Sequence, residues 1–470
     1  MGAASGYLQG RCRVEPVSVH PRVEDVIRKF SARKSPTILE SSLDVAGGGR
    51  FSFFAADPVR VVEATIPDER AFRGLFDELG QIRAEGAHQG VPFCGGWIGY
   101  LGYECGLGLE RVPRVGSDAW PLPDARFALY DTVAVFDHHS EQWLIAGIDW
   151  AGDMLPRRAP LHDRFADTLA TLRAATAQGS TVESRPDKHG PGGCGLKPVL
   201  TAGMSPDQYH SKIERIKRYI EAGDAYQVNL TQRWSAKTSA TPLQHYLRLR
   251  EISPSPYAAF LSWDDITVIS ASPELFLEVR GRNVMTRPIK GTRPRTGDGP
   301  RDEAARRDLE ESEKDVAELN MIVDVLRNDL GRVCEYGSVR VVSSGEVEEH
   351  PTVFHRVATI EGTLRADSSA ADLLGASFPG GSVTGAPKIR AMQIISELER
   401  FPRGVYCGCI GWIGLDGSMT LNLAIRTMVQ IGGEVFAYAG GGIVHESDPQ
   451  AEYDETETKL AAMKRSLGAE

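Results

Sequence analysis

The sequence predicts an α+β fold that is built on antiparallel sheet. Near the C-terminus, three apolar runs are joined by the dipeptides Asp416-Gly417 and Gly432-Gly433. Both dipeptides favour the tight turns of β-hairpins, in which neighbouring strands run antiparallel. A doubly wound α/β fold instead needs a long crossover between successive strands. The short connections therefore predict antiparallel sheet, with helices elsewhere in the chain.

Composition narrows the class of protein. The chain has 470 residues, of which 41% are hydrophobic and 25% are charged, an ordinary balance for a globular protein. Its net charge is −10 and it has no basic run, so we expect no nucleic-acid partner. We also expect no membrane association, because no apolar stretch approaches the roughly 20 residues that cross a bilayer and the N-terminus does not resemble a signal peptide. Seven scattered cysteines without a CxxC pair indicate reduced thiols and a cytoplasmic location.

The distribution of turn-forming residues predicts three regions. Residues 1–176 form an N-terminal region in which short apolar runs alternate with turns. Residues 177–200 are rich in Gly, Ser, Pro and charge, which favours a flexible linker. Residues 201–470 form the second region. Strands are predicted in the first region at Gly95–Glu104, Phe127–Asp137 and Trp143–Ile148.

The second region is predicted to begin with a helix. Ser205 is suited to cap it, Pro206 suits its first turn, and Gln208 completes a capping box. Further helices are predicted over about 302–330, from Pro387 to about Arg400, and after a cap at Asp448. Strands are predicted at Ala258–Trp263, Ile266–Ala271, Leu275–Val279, Val284–Ile289, Tyr406–Leu415, Met419–Ile431 and Glu434–Val444.

Two pairs of carboxylates lie on predicted helices. Asp315 and Glu318 are three residues apart, as are Glu452 and Glu455, so each pair shares one helix face. Like charges on one face repel unless a cation lies between them, and Mg²⁺ prefers oxygen ligands of this kind. Two solvated acidic helix faces would have the same spacing. The spacing alone therefore leaves a metal site and a solvated surface both open.

Two glycine-rich segments are candidates for anion binding. Gly380–Lys388 ends where a helix starts, and free N–H groups at a helix N-terminus favour an anion. It is not a nucleotide-binding P-loop, because Ala386 occupies the place of the lysine. Gly440–Gly442 precedes the last helix, where backbone N–H groups can approach a carboxylate closely. Arg426 is suited to bidentate carboxylate binding. Tight turns and an ordinary salt-bridged arginine are the alternatives.

Six motifs follow one another in the second region. They are Gly223–Leu230, Ser270–Phe276, Pro288–Arg295, Glu318–Val333, Gly380–Glu399 and Gly440–Lys459. Together they resemble the chorismate-utilising enzymes, which include anthranilate, aminodeoxychorismate, isochorismate and salicylate synthases; the first region resembles them more loosely. The resemblance implies an anthranilate-synthase-like fold, in which large antiparallel β-sheets pack as a sandwich flanked by helices.

The same resemblance implies a Mg²⁺ site and a chorismate site. Glu318 and Glu455 match the metal ligands of the family, and Asp315 and Glu452 match neighbours that hold metal-bound water. The residues expected to contact chorismate are Gln227, Thr384, Tyr406, Arg426, Gly440, Gly441, Gly442 and Lys459.

Three residues are implied to take part in the chemistry. Glu274 resembles the general acid for the departing C4 hydroxyl, and His355 resembles the histidine beside the substrate ring. Lys290 stands where anthranilate synthases usually have alanine; in aminodeoxychorismate synthases this lysine is thought to attack C2, after which ammonia enters at C4. A nucleophilic amine must be neutral, so we expect burial near Mg²⁺ and Arg293 to lower the pKa of Lys290. A lysine that only pairs with Glu274 or with substrate is the alternative.

Lys290 places the resemblance closest to aminodeoxychorismate synthase component I. Anthranilate synthase component I and 2-amino-2-deoxyisochorismate synthase, which attach nitrogen at C2, are the rival enzymes. Gln227 replaces a lysine by which isochorismate and salicylate synthases activate water, which argues against water as the nucleophile. Outside the enzymes, the alternative is a catalytically silent chorismate-binding scaffold.

The resemblance also implies partners and a possible second pocket. The sequence has no plausible glutamine amidotransferase domain, so we expect a separate amidotransferase subunit to supply ammonia. A separate aminodeoxychorismate lyase would then form 4-aminobenzoate for folate or for a related secondary metabolite. Leu39, Glu40 and Ser41 match a motif that belongs to a tryptophan-binding pocket in anthranilate synthases; a packing motif is the alternative.

Overall fold

Helices pack against two large β-sheets. A computed structural model describes residues 8–43, 49–85, 90–114, 121–151, 158–179, 198–351 and 353–469. The helices are α1 (Val23–Ser31), α2 (Glu69–Leu79), α3 (Glu104–Leu109), α4 (Leu161–Gly179), α5 (Pro206–Glu221), α6 (Pro242–Ile252), α7 (Gly299–Glu311), α8 (Glu313–Gly331), α9 (Ala370–Ser377), α10 (Lys388–Leu398) and α11 (Pro449–Leu467). None of these helices combines the length and apolarity needed to cross a membrane.

The strands are short and run along most of the described chain. In chain order they are β1 (Leu8–Pro16), β2 (Thr37–Glu40), β3 (Phe51–Ala55), β4 (Arg60–Ala64), β5 (Ile82–Glu85), β6 (Gly96–Leu101), β7 (Ala125–Tyr130), β8 (Thr132–Asp137), β9 (Gln142–Trp150), β10 (Thr201–Ala202), β11 (Gln227–Lys237), β12 (Tyr257–Trp263), β13 (Ile266–Ser272), β14 (Leu275–Arg280), β15 (Asn283–Arg287), β16 (Ile289–Pro294), β17 (Arg340–Glu349), β18 (Val353–Thr363), β19 (Gly385–Ala386), β20 (Cys409–Gly414), β21 (Met419–Leu423), β22 (Thr427–Ile431) and β23 (Glu434–Ile443). A 3₁₀ turn, Gly381–Val383, precedes β19.

The strands form two sheets that are almost entirely antiparallel. Within the described residues, the larger sheet has the order β10-β11-β23-β22-β13-β12-β2-β3-β8-β9-β1-β5, with β19 beside β11. The smaller sheet has the order β16-β18-β15-β14-β21-β20-β6-β7-β4, with β17 beside β18. Only β1 and β5 pair in parallel among these strands. The two predicted hairpins are present as β20–β21 and β22–β23, and the α+β prediction is confirmed.

The main hydrophobic core lies between the two sheets. Phe53 of β3 meets Trp412 of β20 with ring centroids 6.3 Å apart, so the sheets face one another here. The next residue, Phe54, belongs to a second core formed with α1, α4, α6 and α11. Successive side chains of a strand point to opposite faces. The larger sheet is therefore buried on both sides, by the smaller sheet and by these helices.

Strands from both predicted regions contribute to each sheet. In the larger sheet β2 pairs with β12, and in the smaller sheet β6 pairs with β20. Most of the predicted linker lies outside the described residues, and α4 includes residues 177–179 of that range. The boundaries of the three regions stay a prediction, while the packing joins the two larger regions through both sheets.

Two long predicted strands are each divided between the two sheets. Phe127–Asp137 contains β7 in the smaller sheet and β8 in the larger one, and Met419–Ile431 is divided in the same way between β21 and β22. The first change of sheet occurs at Asp131, which is fully buried and accepts two hydrogen bonds from Arg158. The second occurs just before β22, where Arg426 has a φ of 49°. A period-two pattern cannot reveal such a crossing, because both strands are apolar.

The predicted helix over 302–330 is likewise two helices. Ser312 has extended backbone angles, and its side chain accepts a 3.3 Å hydrogen bond from the N–H of Asp315. This cap starts α8 and separates it from α7. Asp315 thus lies in the first turn of α8, where a carboxylate is favoured by the helix dipole.

Candidate active site

Glycines of β23 let carboxylates of α8 and α11 lie close to the backbone of this strand. A Cβ atom at Gly442 would collide with the side chain of Gln227 and lie 2.9 Å from Oε1 of Glu318. A Cβ atom at Gly441 would lie 3.1 Å from Oε2 of Glu452. Real Cβ atoms tolerate such distances poorly, so side chains here would displace the acidic groups. The glycines therefore allow carboxylates of both helices to lie against the same part of β23.

Lys290 and Gln227 both donate to the same oxygen of Glu318. The Nζ atom of Lys290 lies 2.6 Å from Oε1 of Glu318, and the amide nitrogen of Gln227 also donates to that atom. The side chains of Lys290 and Glu318 are only 13% and 18% exposed. Lys290 reaches this position from β16, and Glu318 from the second turn of α8. The amine is thus fixed by a largely buried ion pair.

The protein groups around Lys290 oppose the expected lowering of its pKa, which stays a prediction for the Mg²⁺-bound site. Burial lowers its pKa, but the charge of Glu318 and the hydrogen bond to it outweigh burial, and Glu274 and Glu455 act in the same direction. The pKa of Lys290 is therefore raised. Arg293, which we expected to repel the amine, instead forms ion pairs with Asp308 and Asp315.

Lys459 links α11 to the glycine strand. Its Nζ atom lies 2.7 Å from Oε1 of Glu455 and donates a 2.8 Å hydrogen bond to the carbonyl of Gly440. Glu455 and Lys459 are four residues apart, so they share one helix face. Glu452, one turn earlier, accepts a 2.7 Å hydrogen bond from Ser447. Glu455, the predicted metal ligand of α11, and Glu452, its predicted neighbour, are thus each held by a polar side chain.

The donor chemistry of this region fits Mg²⁺ only in part. Among the described residues, no group of three or more His, Cys, Asp or Glu side chains converges closely enough to hold a metal. Glu318 and Glu455 are near enough for the charge of each to act on the other, and two carboxylates suffice for Mg²⁺, which keeps waters and takes substrate oxygens. Asp315 lies farther along α8, where Arg293 donates to it at 3.0 Å. The fit thus rests on the pair Glu318 and Glu455.

Glu274 is a buried carboxyl beside the Gly380–Lys388 turn. Ser382, in the 3₁₀ turn of that segment, donates a 2.7 Å hydrogen bond to Oε1 of Glu274. Burial raises the pKa of Glu274 to about 7, although the Ser382 hydrogen bond and the charge of Lys290 lower it. A carboxyl with this pKa can hold and release a proton near neutral pH. Sequence reasoning missed Ser382, although it lies inside a motif that had been singled out.

His355 and Arg426 form a neighbouring group. Nδ1 of His355 lies 2.9 Å from the hydroxyl of Thr292, which was not singled out from the sequence. Burial lowers the pKa of His355 well below its usual value, and the charges of Arg426 and His350 lower it further. Within the described residues, Arg426 has no ion pair or side-chain hydrogen bond, and burial lowers its pKa. An unpaired, largely buried guanidinium is suited to an anionic ligand.

Tyr406 and Thr384 are two further residues that the resemblance assigns to the substrate site. Tyr406 and Arg426 were predicted on neighbouring strands, but both precede strands and lie in connections. The ring of Tyr406 stacks on Tyr438 with centroids 5.3 Å apart. The hydroxyl of Thr384 donates to the carbonyl of Gly380 at 3.1 Å, so it closes its own turn. A role of Tyr406 or Thr384 in substrate binding stays a prediction.

The Leu39–Ser41 motif lies beside a separate cavity between the sheets. The cavity has a volume of about 820 Å³, and its walls include Leu39, Phe51 and Trp412. Glu40 is fully buried at its side chain, where it accepts hydrogen bonds from Tyr246 and Arg250. This carboxylate therefore stabilises the packing of β2 on α6, and tryptophan binding in the cavity stays a prediction.

The fold agrees with comparisons to known proteins. Residues 42–465 match the family model described as chorismate binding enzyme. Aminodeoxychorismate synthase component 1 of Bacillus subtilis is 38% identical over 93% of this chain and 92% of its own. Anthranilate synthase component 1 of Streptomyces coelicolor is 41% identical over 90% of this chain and 82% of its own. The crystal structure of anthranilate synthase component I from Streptococcus pneumoniae has a TM-score of 0.73 at 32% identity and covers 90% of this chain and 94% of that one. The chain belongs to the chorismate-binding enzymes and acts on chorismate.

Proposed function

We propose that this enzyme is an aminodeoxychorismate synthase component 1, which converts chorismate and ammonia to 4-amino-4-deoxychorismate. The observation that carries the proposal is the position of Lys290, whose amine is fixed by Glu318 beside the glycine strand. The Bacillus subtilis relative of that name supports it. A lysine at this point offers a nucleophile that alanine does not.

The proposed reaction has two displacements across the conjugated diene of the ring. The neutral amine of Lys290 forms a bond to C2, both ring double bonds shift by one position, and the C4–O bond breaks. Glu274 supplies the proton with which the C4 hydroxyl leaves as water, a role suited to its pKa of about 7. Ammonia then forms a bond to C4, both double bonds shift back, and the C2–N bond breaks to release the amine of Lys290. Before it attacks, the amine of Lys290 must release to solvent the proton that Glu318 favours, while Glu274 keeps its own proton for the C4 hydroxyl.

In the proposed complex, a different cation binds each of the two carboxylates of chorismate. Arg426 binds one carboxylate of the substrate, since it has no partner among the described residues. Glu318 and Glu455 hold Mg²⁺, which would neutralise the other carboxylate when bound. Backbone groups of Gly440–Gly442 and Lys459 line the same wall. His355, neutral because its pKa is lowered, contacts the ring without adding charge.

The proposed nitrogen source is a separate glutamine amidotransferase subunit. Ammonia is mostly protonated near neutral pH, and the ammonium ion has no lone pair for attack at C4. The relatives are named component 1, which agrees with a second component. A separate lyase would release pyruvate from the product and leave 4-aminobenzoate.

Anthranilate synthase component 1 is the second candidate. The relative from Streptomyces coelicolor has this name and is 41% identical. The two reactions share substrate and fold but differ in the carbon that receives nitrogen. Product identity therefore decides between them, because binding or metal dependence would be the same for both.

The test is product identification from chorismate, Mg²⁺ and an ammonium salt at mildly alkaline pH. We expect aminodeoxychorismate by mass and ultraviolet spectrum, and we expect Lys290→Ala to reduce its rate by more than about 100-fold, as for loss of a nucleophile. Lys237→Ala, at an exposed lysine of β11, is the matched control. Formation of anthranilate by the unaltered enzyme would overturn the proposal.

A further inference from the structure

Arg403 is a buried cation that lies outside the residues assigned above. Its side chain is 1% exposed and makes four hydrogen bonds. Two go to the carboxylate of Glu399, at 2.8 and 2.6 Å, and two go to the backbone carbonyls of Val383 and Asn229, at 2.8 and 2.9 Å. The guanidinium also lies 4.6 Å from the ring centroid of Tyr103. Every side of this group is thus occupied by a defined neighbour.

The two backbone carbonyls belong to segments that form the site. Val383 immediately precedes Thr384 in the Gly380–Lys388 turn. Asn229 is two residues beyond Gln227 on β11, and its N–H donates to the carbonyl of Thr384 at 2.8 Å. Arg403 therefore bridges the turn and the strand at the point where they already touch.

Glu399 extends the same network to the glycine strand. One of its oxygens accepts a 2.8 Å hydrogen bond from the N–H of Thr231. Thr231 pairs with Gly440 in the register of β11 and β23. Glu399 follows the last residue of α10, the helix that begins directly after the turn. The ion pair therefore fixes both ends of the segment that runs from the turn through α10.

The backbone of Arg403 is fixed independently of its side chain. The N–H groups of Arg403 and Gly404 donate to the buried carboxylate of Glu104 at 2.9 and 3.0 Å. Tyr406 follows two residues later and stacks on Tyr438. The side chain thus reaches from the Tyr406 segment back to the turn and β11.

We infer that Arg403 is a positioning residue. It sets the shape of the proposed chorismate site by joining the Gly380–Lys388 turn, β11 and the segment that contains Tyr406. The inference rests on the proposed location of the substrate site, but not on the carbon that is aminated. Arg403 touches no reacting atom; it acts through the backbone of Val383 and Asn229. Lysine cannot replace it, because one ammonium group cannot meet a bidentate carboxylate and two separate carbonyls at once.

The test compares Arg403→Lys with the unaltered enzyme in binding and in turnover. Equilibrium binding of chorismate is measured without an ammonia source, so this readout does not depend on which product forms. We expect the Kd and the KM for chorismate to rise at least tenfold, while kcat at saturating chorismate changes less than threefold. A purely structural role would instead reduce the folded fraction and leave the KM of the folded protein unchanged, and that result would overturn the inference.

Two further variants keep the result decisive. Tyr103→Phe removes a buried hydroxyl that has no hydrogen-bond partner and keeps the ring under Arg403, so it should bind chorismate normally. An equal loss in this variant would show that any disturbance of the core has the effect and would also overturn the inference.

If Arg403→Lys does not fold, Glu399→Gln decides, because it weakens the same network by removing one charge. We expect its Kd to rise at least threefold, and an unchanged Kd would count against the inference.

Discussion

The Nζ atom of Lys290 donates a 2.6 Å hydrogen bond to Oε1 of Glu318, and both side chains are mostly removed from solvent. Removing one member of such a pair leaves an uncompensated buried charge. Such a loss typically costs about 3–5 kcal/mol. We expect Lys290→Met to lower the free energy of unfolding by about 3 kcal/mol, at the lower end of this range. The double variant Lys290→Met/Glu318→Gln should recover part of this loss. Urea denaturation of the two single variants and the double variant measures the coupling, and additive losses would contradict a direct interaction.

Glu274 is expected to make stability depend on pH. Burial raises its pKa to about 7, so the folded protein binds this proton more tightly than the unfolded chain does. The resulting stabilisation is fully present below the unfolded pKa, about 4.3, and is lost as pH rises through about 7. Glu274→Gln stays neutral and should reduce the slope by up to about 1.4 kcal/mol per pH unit.

Urea denaturation of the unaltered protein and of Glu274→Gln, at several pH values between about 4.3 and about 7, measures how steeply the free energy of unfolding depends on pH. Some dependence should remain in the variant, because burial also raises the pKa of Glu104 to about 7. Identical slopes in the two proteins would show that Glu274 does not titrate in this range.

The Glu274→Gln variant should also lose synthase activity by about 100-fold or more, as is typical for loss of a general acid.

Ser382 is expected to tune the proton donor. Its hydrogen bond lowers the pKa of Glu274, so Ser382→Ala should raise that pKa further. A hydrogen bond worth about 1 kcal/mol corresponds to an upward shift of about 0.7 units. The proposed acid must be protonated, so activity falls as pH rises past its pKa, and this alkaline limb should move to higher pH. The pH profile of kcat/KM measures it; a limb that stays in place or moves down would argue against Glu274 as the acid.

The sequence predicted hairpins and helix caps better than it predicted the sheet to which each strand belongs. Period and turn residues predicted the hairpins and the caps at Ser205 and Asp448, because these depend on neighbours in the chain. They did not predict the change of sheet at Asp131 or at Arg426, since these depend on partners far away in sequence. Local patterns report which residues are apolar, but not which sheet receives them.

The electrostatics of the site also exceeded what the sequence could predict. The nucleophilic role implied for Lys290 suggested a lowered pKa, but the sign depends on which charge lies next to the amine. Glu318 is 28 residues from Lys290 and reaches it only through the packing of α8 on β16. Likewise, nothing in the sequence singled out Arg403. Its four hydrogen bonds exist because the chain folds back after α10.

His355 is expected to remain neutral across the working pH range. Its pKa is lowered by burial, by the charge of Arg426 and by His350. Nuclear magnetic resonance of isotope-labelled histidine should show that this ring titrates well below the ordinary value near 6.5. In Arg426→Gln, the pKa should rise because one positive charge is removed. A pKa that stays the same in the variant would mean that the charge of Arg426 does not act on His355.

Gly442 is expected to tolerate no side chain. The added Cβ atom of Gly442→Ala would collide with Gln227 and lie 2.9 Å from Glu318, so both side chains must move. We expect kcat/KM to fall by more than about 100-fold, the scale of misplacing reacting groups by 1 Å, and stability to fall by only about 1–3 kcal/mol. Gly433→Ala is the matched control, because its Cβ meets only the carbonyl of Thr238 at 3.7 Å. Steady-state kinetics and urea denaturation of both variants separate the two effects, and near-normal activity in Gly442→Ala would mean that Gln227 and Glu318 need not hold their positions for turnover.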